Sequence, residues 1–265
     1  TRTRSGVYRM KVLAATLAAL MCVGAPVAAQ TVATDIARGD SAHTALNATA
    51  ALGDYEAAIK LDTANAEALW KAAREAVDLG EAAGFQHQDH ARDSLYALAE
   101  QYATRAVQAN PNEAVTHFTL AKALGRAALS KGGRAKVSYA KRVRAEALEA
   151  LKLDSLDDGA WHVMGVWNAE IMRLNGFLRF FAKTLLGGQV FGEANWDSAQ
   201  RDLEHAVALA PTRIVHHLDL GQVYLDRGDK AKADAQYQEV LKLPATEYND
   251  KYYKQEAEQA LAKLK

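Results

Sequence analysis

Two histidines and an aspartate fall within four residues at His87-Gln88-Asp89-His90, a set that could offer imidazole nitrogen and carboxylate oxygen to a divalent cation. No second ligand cluster accompanies them, so they read as a solvated turn. A second pair, His216-His217, sits at neighbouring helical positions whose side chains point in different directions, which rules against one shared ion. The chain carries no phosphate-cradling glycine loop, no Gly-x-Ser-x-Gly elbow and no His-Glu-x-x-His pair. No catalytic residue, cofactor or metal site is read from the sequence. Arg38-Gly39-Asp40 and Arg227-Gly228-Asp229 repeat an adhesion-like tripeptide, and both are expected to be turns.

Recognition chemistry is better represented. Between Ala114 and Ala145 stand Lys122, Arg126, Lys131, Arg134, Lys136, Lys141, Arg142 and Arg144, without one acid. If the first helix of each hairpin lines a concave face, Trp70 and Arg74, Phe118 and Lys122, and then Arg126 and His162 share it. The cations would clamp a carboxylate or acidic tail of a protein or peptide partner, and the aromatic rings would add apolar contact. Nothing in the overall charge invites nucleic acid.

A second candidate is the stretch Ile171 to Gly192, where Phe177, Phe181 and Leu185 share one face of a helical wheel and Arg179 and Lys183 another. Twelve residues from Gly176 to Gly187 are too few to span a bilayer, which needs about 20. The favoured expectation is an amphipathic helix folded against its own hairpin. The alternative is a helix that docks on a membrane surface or a partner.

The elements that must position these residues are helices. Ala, Leu, Glu, Lys and Gln dominate, and strand-like alternation is absent. The tetrapeptides "KLDT", "QANP", "KLDS" and "ALAP" each end an apolar helix, at Thr63, Pro111, Ser155 and Pro211. Ten residues after each comes an apolar-small pair: Ala72-Ala73, Leu120-Ala121, Met164-Gly165 and Leu220-Gly221. A small residue at a fixed offset is what a close crossing of two antiparallel helices requires. The last unit, with Leu220-Gly221, Tyr224, Gly228-Asp229, Ala233, Tyr237 and Pro244, is nearly a complete tetratricopeptide repeat. The anchors lie 48, 44 and 56 residues apart (Thr63 to Pro111 to Ser155 to Pro211). A standard repeat is about 34 residues. The surplus falls at the hairpin tips, and the longest insertion holds the phenylalanine-rich stretch. The fold expected is all-α: a right-handed superhelix of about five helical hairpins, closed by a C-terminal helix from Glu247 to Leu264 that shields the last repeat.

The N-terminal region reads differently. Arg2, Arg4, Arg9 and Lys11 precede an uncharged run, Val12 to Val27, which ends on Val27-Ala28-Ala29-Gln30, the anatomy of a cleavable signal peptide. The expected organisation is a leader over 1–29, a short linker over 30–39 and the repeat domain over 40–265, with cleavage near Ala29/Gln30. Cleavage would remove four of the 32 basic residues and no acid, leaving 28 against 32, a net charge of −4. It would also remove Cys22, the one cysteine. A thiol-free exported chain fits a periplasmic location.

The segments "AWHVMGVWNAEIMRLNGFLRFFAKTLLGG", "WDSAQRDLEHAVALAP" and "LPATEYNDKYYKQEAEQALAKL" resemble the regulator of microtubule dynamics family. The likeness runs from about Asp40 to Lys265. It implies an all-helical, tetratricopeptide-like solenoid without enzymatic activity, whose eukaryotic members are associated with microtubules and organelle membranes. The function expected is a non-catalytic interaction scaffold, as a monomer or weak oligomer, with a membrane-peripheral adaptor as the alternative.

Overall fold

In the computed structural model, which describes residues 24–185 and 188–264 and the side chains from Thr31 onward except those of Phe177, Phe181 and Leu185, every regular element is helical. Twelve α-helices run in order: α1 (Gly24–Thr44), α2 (Ala48–Leu61), α3 (Ala66–Phe85), α4 (Asp89–Ala109), α5 (Ala114–Ala127), α6 (Gly133–Leu153), α7 (Asp158–Arg173), α8 (Gly176–Leu185), α9 (Trp196–Leu209), α10 (Ile214–Asp226), α11 (Lys230–Lys242) and α12 (Asp250–Leu264). Short 3-10 turns at Ala128–Ser130 and Gln189–Gly192 follow α5 and α8.

The helices pair as five hairpins, α1/α2, α3/α4, α5/α6, α7/α9 and α10/α11, followed by α12. First helices also touch one another, α3 on α5, α5 on α7 and α7 on α10, and so form an inner row. The repeat architecture expected from the spacing is present.

Local chemistry explains why the anchors recur. The Asp62 carboxylate accepts the Ala64 amide at 3.1 Å, and Asp154 accepts that of Leu156 at 2.9 Å, each folding the chain back after a helix. Asn65 and Asp157 then cap the next helices through the Ala68 and Ala160 amides. Six residues beyond three of the anchors, a ring nitrogen meets the anchor's carbonyl: His117 on Pro111 at 2.9 Å, Trp161 on Ser155 at 2.9 Å and His217 on Pro211 at 2.8 Å. This contact ties the first helix of a hairpin to the turn that precedes it.

Small residues set the crossings. A β-carbon on Gly221 would lie 2.7 Å from the Tyr237 ring, one on Gly80 2.6 Å from the Tyr96 ring, and one on Gly165 2.6 Å from Leu203 Cγ. Gly39 holds the same relation to Tyr55. Arg38-Gly39-Asp40 is therefore not a turn: it lies inside α1, where Gly39 admits the Tyr55 ring. Arg227-Gly228-Asp229 is the expected turn, with Gly228 at φ 84°.

Residues 30–39 do not form a linker either. They belong to α1, and Val32 and Ile36, one turn apart, are buried in a core with Tyr55, Ile59 and Leu69. The expected leader covers residues 1–29, of which residues 1–23 lie outside the described residues. Among the described residues no helix is long and apolar enough to cross a membrane.

Candidate functional site

The residues expected on a concave face lie on the first helices of their hairpins. Trp70 and Arg74 lie on α3, Phe118, Lys122 and Arg126 on α5, and His162 on α7, all partly exposed. The chemistry of the row is different from a clamp for foreign carboxylates. Arg74 Nε donates to Glu75 at 2.8 Å while its guanidinium lies 5.3 Å from the Trp70 ring centre. Lys122 Nζ meets Asp78 at 3.1 Å, and Arg126 meets Glu81 at 2.6 Å. The Phe118 ring fills the space beside Gly159 of α7, where a side chain would overlap it, so it packs between hairpins.

The acids that take these cations lie mostly on neighbouring helices: Asp78 and Glu81 of α3 take Lys122 and Arg126 of α5, and Asp219 of α10 takes His162 of α7. Of these, Asp78 stands four residues after Arg74, so extending that helical face by one turn would have found it.

The C-terminal segment then covers part of the row. Asn249 Nδ2 donates to the Asp78 carbonyl at 3.0 Å and to Glu81 Oε2 at 2.9 Å. Tyr253 donates its hydroxyl to the same Glu81 oxygen at 2.6 Å. Tyr252 stacks on Phe85, with ring centres 4.6 Å apart and planes 13° from parallel, and its hydroxyl accepts from Gln86 at 3.0 Å. Glu247 takes Arg213 Nε at 2.8 Å. As expected, the C-terminal helix packs on α10 and α11 of the last repeat; it also reaches back to α3 of the second hairpin. The helix itself starts at Asp250, whose carboxylate accepts the amides of Thr246 and Glu247 at 2.7 Å each.

Burial and the neighbouring charges together set the ionisation of the row. Burial pushes Asp78 up, and Lys122 only partly opposes it. Burial acts on Glu81 too, but Arg126, Lys122, Tyr253 and Asn249 outweigh it and hold that carboxyl below the usual glutamate range. For Lys122, burial is overcome by Asp78 and Glu81, which raise it. The two acids and two bases form one neutralised cluster.

A second cluster joins α7 to α10. His216 Nδ1 lies 2.8 Å from His162 Nδ1, His216 Nε2 2.7 Å from Asp158, and His162 Nε2 3.0 Å from Asp219. Burial lowers His216 to about 4, against the pull of the Asp158 carboxylate beside it. His217 points elsewhere, to Gln236 and the Pro211 carbonyl, and shares nothing with His216.

The insertion forms α8, as expected, with Ala182 buried in the core beside Trp167 and Phe191. Leu178 and Phe180 are 48% and 63% exposed. Arg179 donates to Met172 Sδ at 2.9 Å, and Lys183 is exposed. The side chains of Phe177, Phe181 and Leu185 lie outside the described residues. His87 and His90 are exposed at the α3–α4 turn, and among the described residues no three His, Cys, Asp or Glu side chains converge as metal ligands.

Comparison with known proteins places this geometry. Regulator of microtubule dynamics protein 1 from Bos taurus is 25% identical over 201 residues, covering 76% of this chain and 62% of the bovine protein. The Mus musculus protein is 24% identical over 204 residues, covering 77% and 66%. The chain thus spans less than two thirds of the relatives it matches. Among solved structures, a thermophilic TPR protein from Thermus thermophilus superposes with a TM-score of 0.61 at 19% identity, covering 86% of this chain and 99% of that one. PilF of Pseudomonas aeruginosa follows at 0.52 and 12%, covering 90% and 93%. These likenesses show the tetratricopeptide-like fold. The sequence profile described as Regulator of microtubule dynamics protein 1-3 matches residues 35–265, and over that span the chain belongs to this family.

Proposed function

We propose that the protein is a non-catalytic interaction scaffold whose inner row binds a segment of a protein or peptide partner. What carries this reading is the row's grip on the chain's own strap: Glu81 accepts both Asn249 and Tyr253, and Phe85 stacks on Tyr252. These are the contacts a groove makes with a helical ligand, an amphipathic turn seated by an aromatic anchor and side-chain hydrogen bonds. The strap is the resident occupant, and a partner segment of like chemistry, with amide and phenol donors, displaces it. An acidic tail is disfavoured, because Lys122 and Arg126 already face Asp78 and Glu81. Scaffolding rather than catalysis also fits the inner-row carboxylates and imidazoles, which are engaged by neighbouring side chains.

The test uses the full chain and a fluorescent peptide of residues 246–260. Asn249→Ala combined with Tyr252→Ala loosens the resident strap, and anisotropy should show the peptide binding this variant at least tenfold more tightly than the wild type. Adding Glu81→Gln should abolish the gain. A loosened variant that keeps its helical circular dichroism and binds no peptide refutes the groove reading.

A further inference from the structure

The tips of the third and fourth hairpins form a surface that the groove does not use. The two hairpins meet near their tips: Trp167 of α7 donates to the Ala140 carbonyl of α6, and Phe191 of the 3-10 turn after α8 packs edge-on against the Trp167 ring. Arg144 and Glu193 pair across them at 2.5 Å. Between Ala127 and Ala145 there is no acid, and none between Leu174 and Gly192.

Besides Arg144, the paired basic residues of α6 are Arg142, with Glu100, and Lys152, with Glu149. Most of those at the tips are not paired. Among the described residues Lys131, Arg134, Lys136, Lys141, Arg179 and Lys183 make no ion pair. Beside them three large apolar side chains face water: Leu129 at 55% exposed, Leu178 at 48% and Phe180 at 63%. An uncompensated positive field around exposed Leu and Phe on a ten-residue amphipathic helix has a definite complement. Headgroup phosphates and carboxylates meet the cations, and the acyl boundary takes the apolar residues. An acidic protein surface would satisfy the charges but leave the apolar residues in water.

We propose that this double tip is a docking surface for an anionic lipid bilayer, lying in the headgroup region without spanning it. Its geometry supplies a control within the same molecule. Leu156, 68% exposed, lies beyond the opposite end of the 21-residue helix α6, about 30 Å away, where the surface is not basic.

The experiment is vesicle flotation of the full chain with phosphatidylcholine alone or with 30% phosphatidylglycerol, at low and high salt. Wild type should float only with the anionic vesicles and release as salt rises. Lys131→Gln, Arg134→Gln and Lys136→Gln together should weaken partitioning on the order of 100-fold, at about a factor of five for each cation. Leu178→Ser with Phe180→Ser should weaken it about tenfold or more, with an unchanged melting temperature, while Leu156→Ser leaves it unchanged. Absence of flotation overturns the proposal. So does salt-sensitive binding that ignores Leu178 and Phe180 and is competed away by polyglutamate, because the surface would then serve an acidic protein.

Discussion

Replacing Gly221 by alanine adds one methyl group, and the structure says where it goes. The new carbon would lie 2.7 and 2.9 Å from two ring carbons of Tyr237 and 3.2 Å from Gln236 Cβ. Tyr237 is 1% exposed and cannot swing into solvent, so α10 and α11 must separate. Overpacking of this kind costs about 1–3 kcal/mol. Alanine also gains about 1 kcal/mol of helix propensity over glycine, which partly masks the clash. Gly125 isolates that second effect: it lies in α5, and a β-carbon there meets nothing within 4 Å. Gly125→Ala should therefore stabilise by about 0.5–1 kcal/mol. Gly221→Ala should fall about 1–3 kcal/mol below Gly125→Ala, because the clash is the difference between them. At about 2–4 °C per kcal/mol for a domain of this size, the two melting temperatures should differ by roughly 2–12 °C. Gly165→Ala, which meets Leu203 and the Ala199 carbonyl, should behave like Gly221→Ala. Calorimetry in which either variant melts at or above Gly125→Ala refutes the hairpin register.

Three further outcomes follow. Tyr253→Phe removes a donor from buried Glu81 and should cost about 1.5–3 kcal/mol in urea unfolding, because a charged acceptor loses a partner. Its equality with wild type would mean that the strap does not seat on α3. His216, lowered to about 4 from 6.5, contributes stability that is fully present above pH 6.5 and drains away as pH falls toward 4. By pH 5 about 2 kcal/mol is lost relative to pH 7, and His216→Gln should lack that share of the pH dependence. If the run Val12 to Val27 is a cleaved leader, N-terminal sequencing of the protein from its native host should begin at or near Gln30, and retention of Lys11 would refute cleavage.

The hairpins are legible in the sequence because their punctuation is local. Asp62 and Asp154 turn the chain within two residues, and His117, Trp161 and His217 fasten it within six. Such signals recur along the sequence and can be counted. The start of the first helix has a signal too, since Val32 and Ile36 stand one turn apart, but it is short and runs into the leader-like segment. The strap has none. Asn249 and Tyr253 find Glu81 at sequence separations of 168 and 172, and no local period records a contact of that range. A pattern of cations and rings alone does not reveal that Asp78 and Glu81 already neutralise Lys122 and Arg126.

The strap also sets an order of assembly. Glu81 leaves the ribosome 172 residues before Tyr253. At about 5–20 residues per second, the second hairpin waits on the order of 10–30 s for its last buried partners. During that interval Arg126 can reach Glu81 as soon as the third hairpin folds, but the phenol and amide that complete the carboxylate's shell do not yet exist. The nascent chain therefore passes through a form with an open inner row, whose Phe85 ring and half-satisfied Glu81 are accessible to whatever is nearby. Repeats that contact only their neighbours can close one at a time as they emerge. This one is completed by a long-range closure of the strap onto its second hairpin rather than by the addition of another unit.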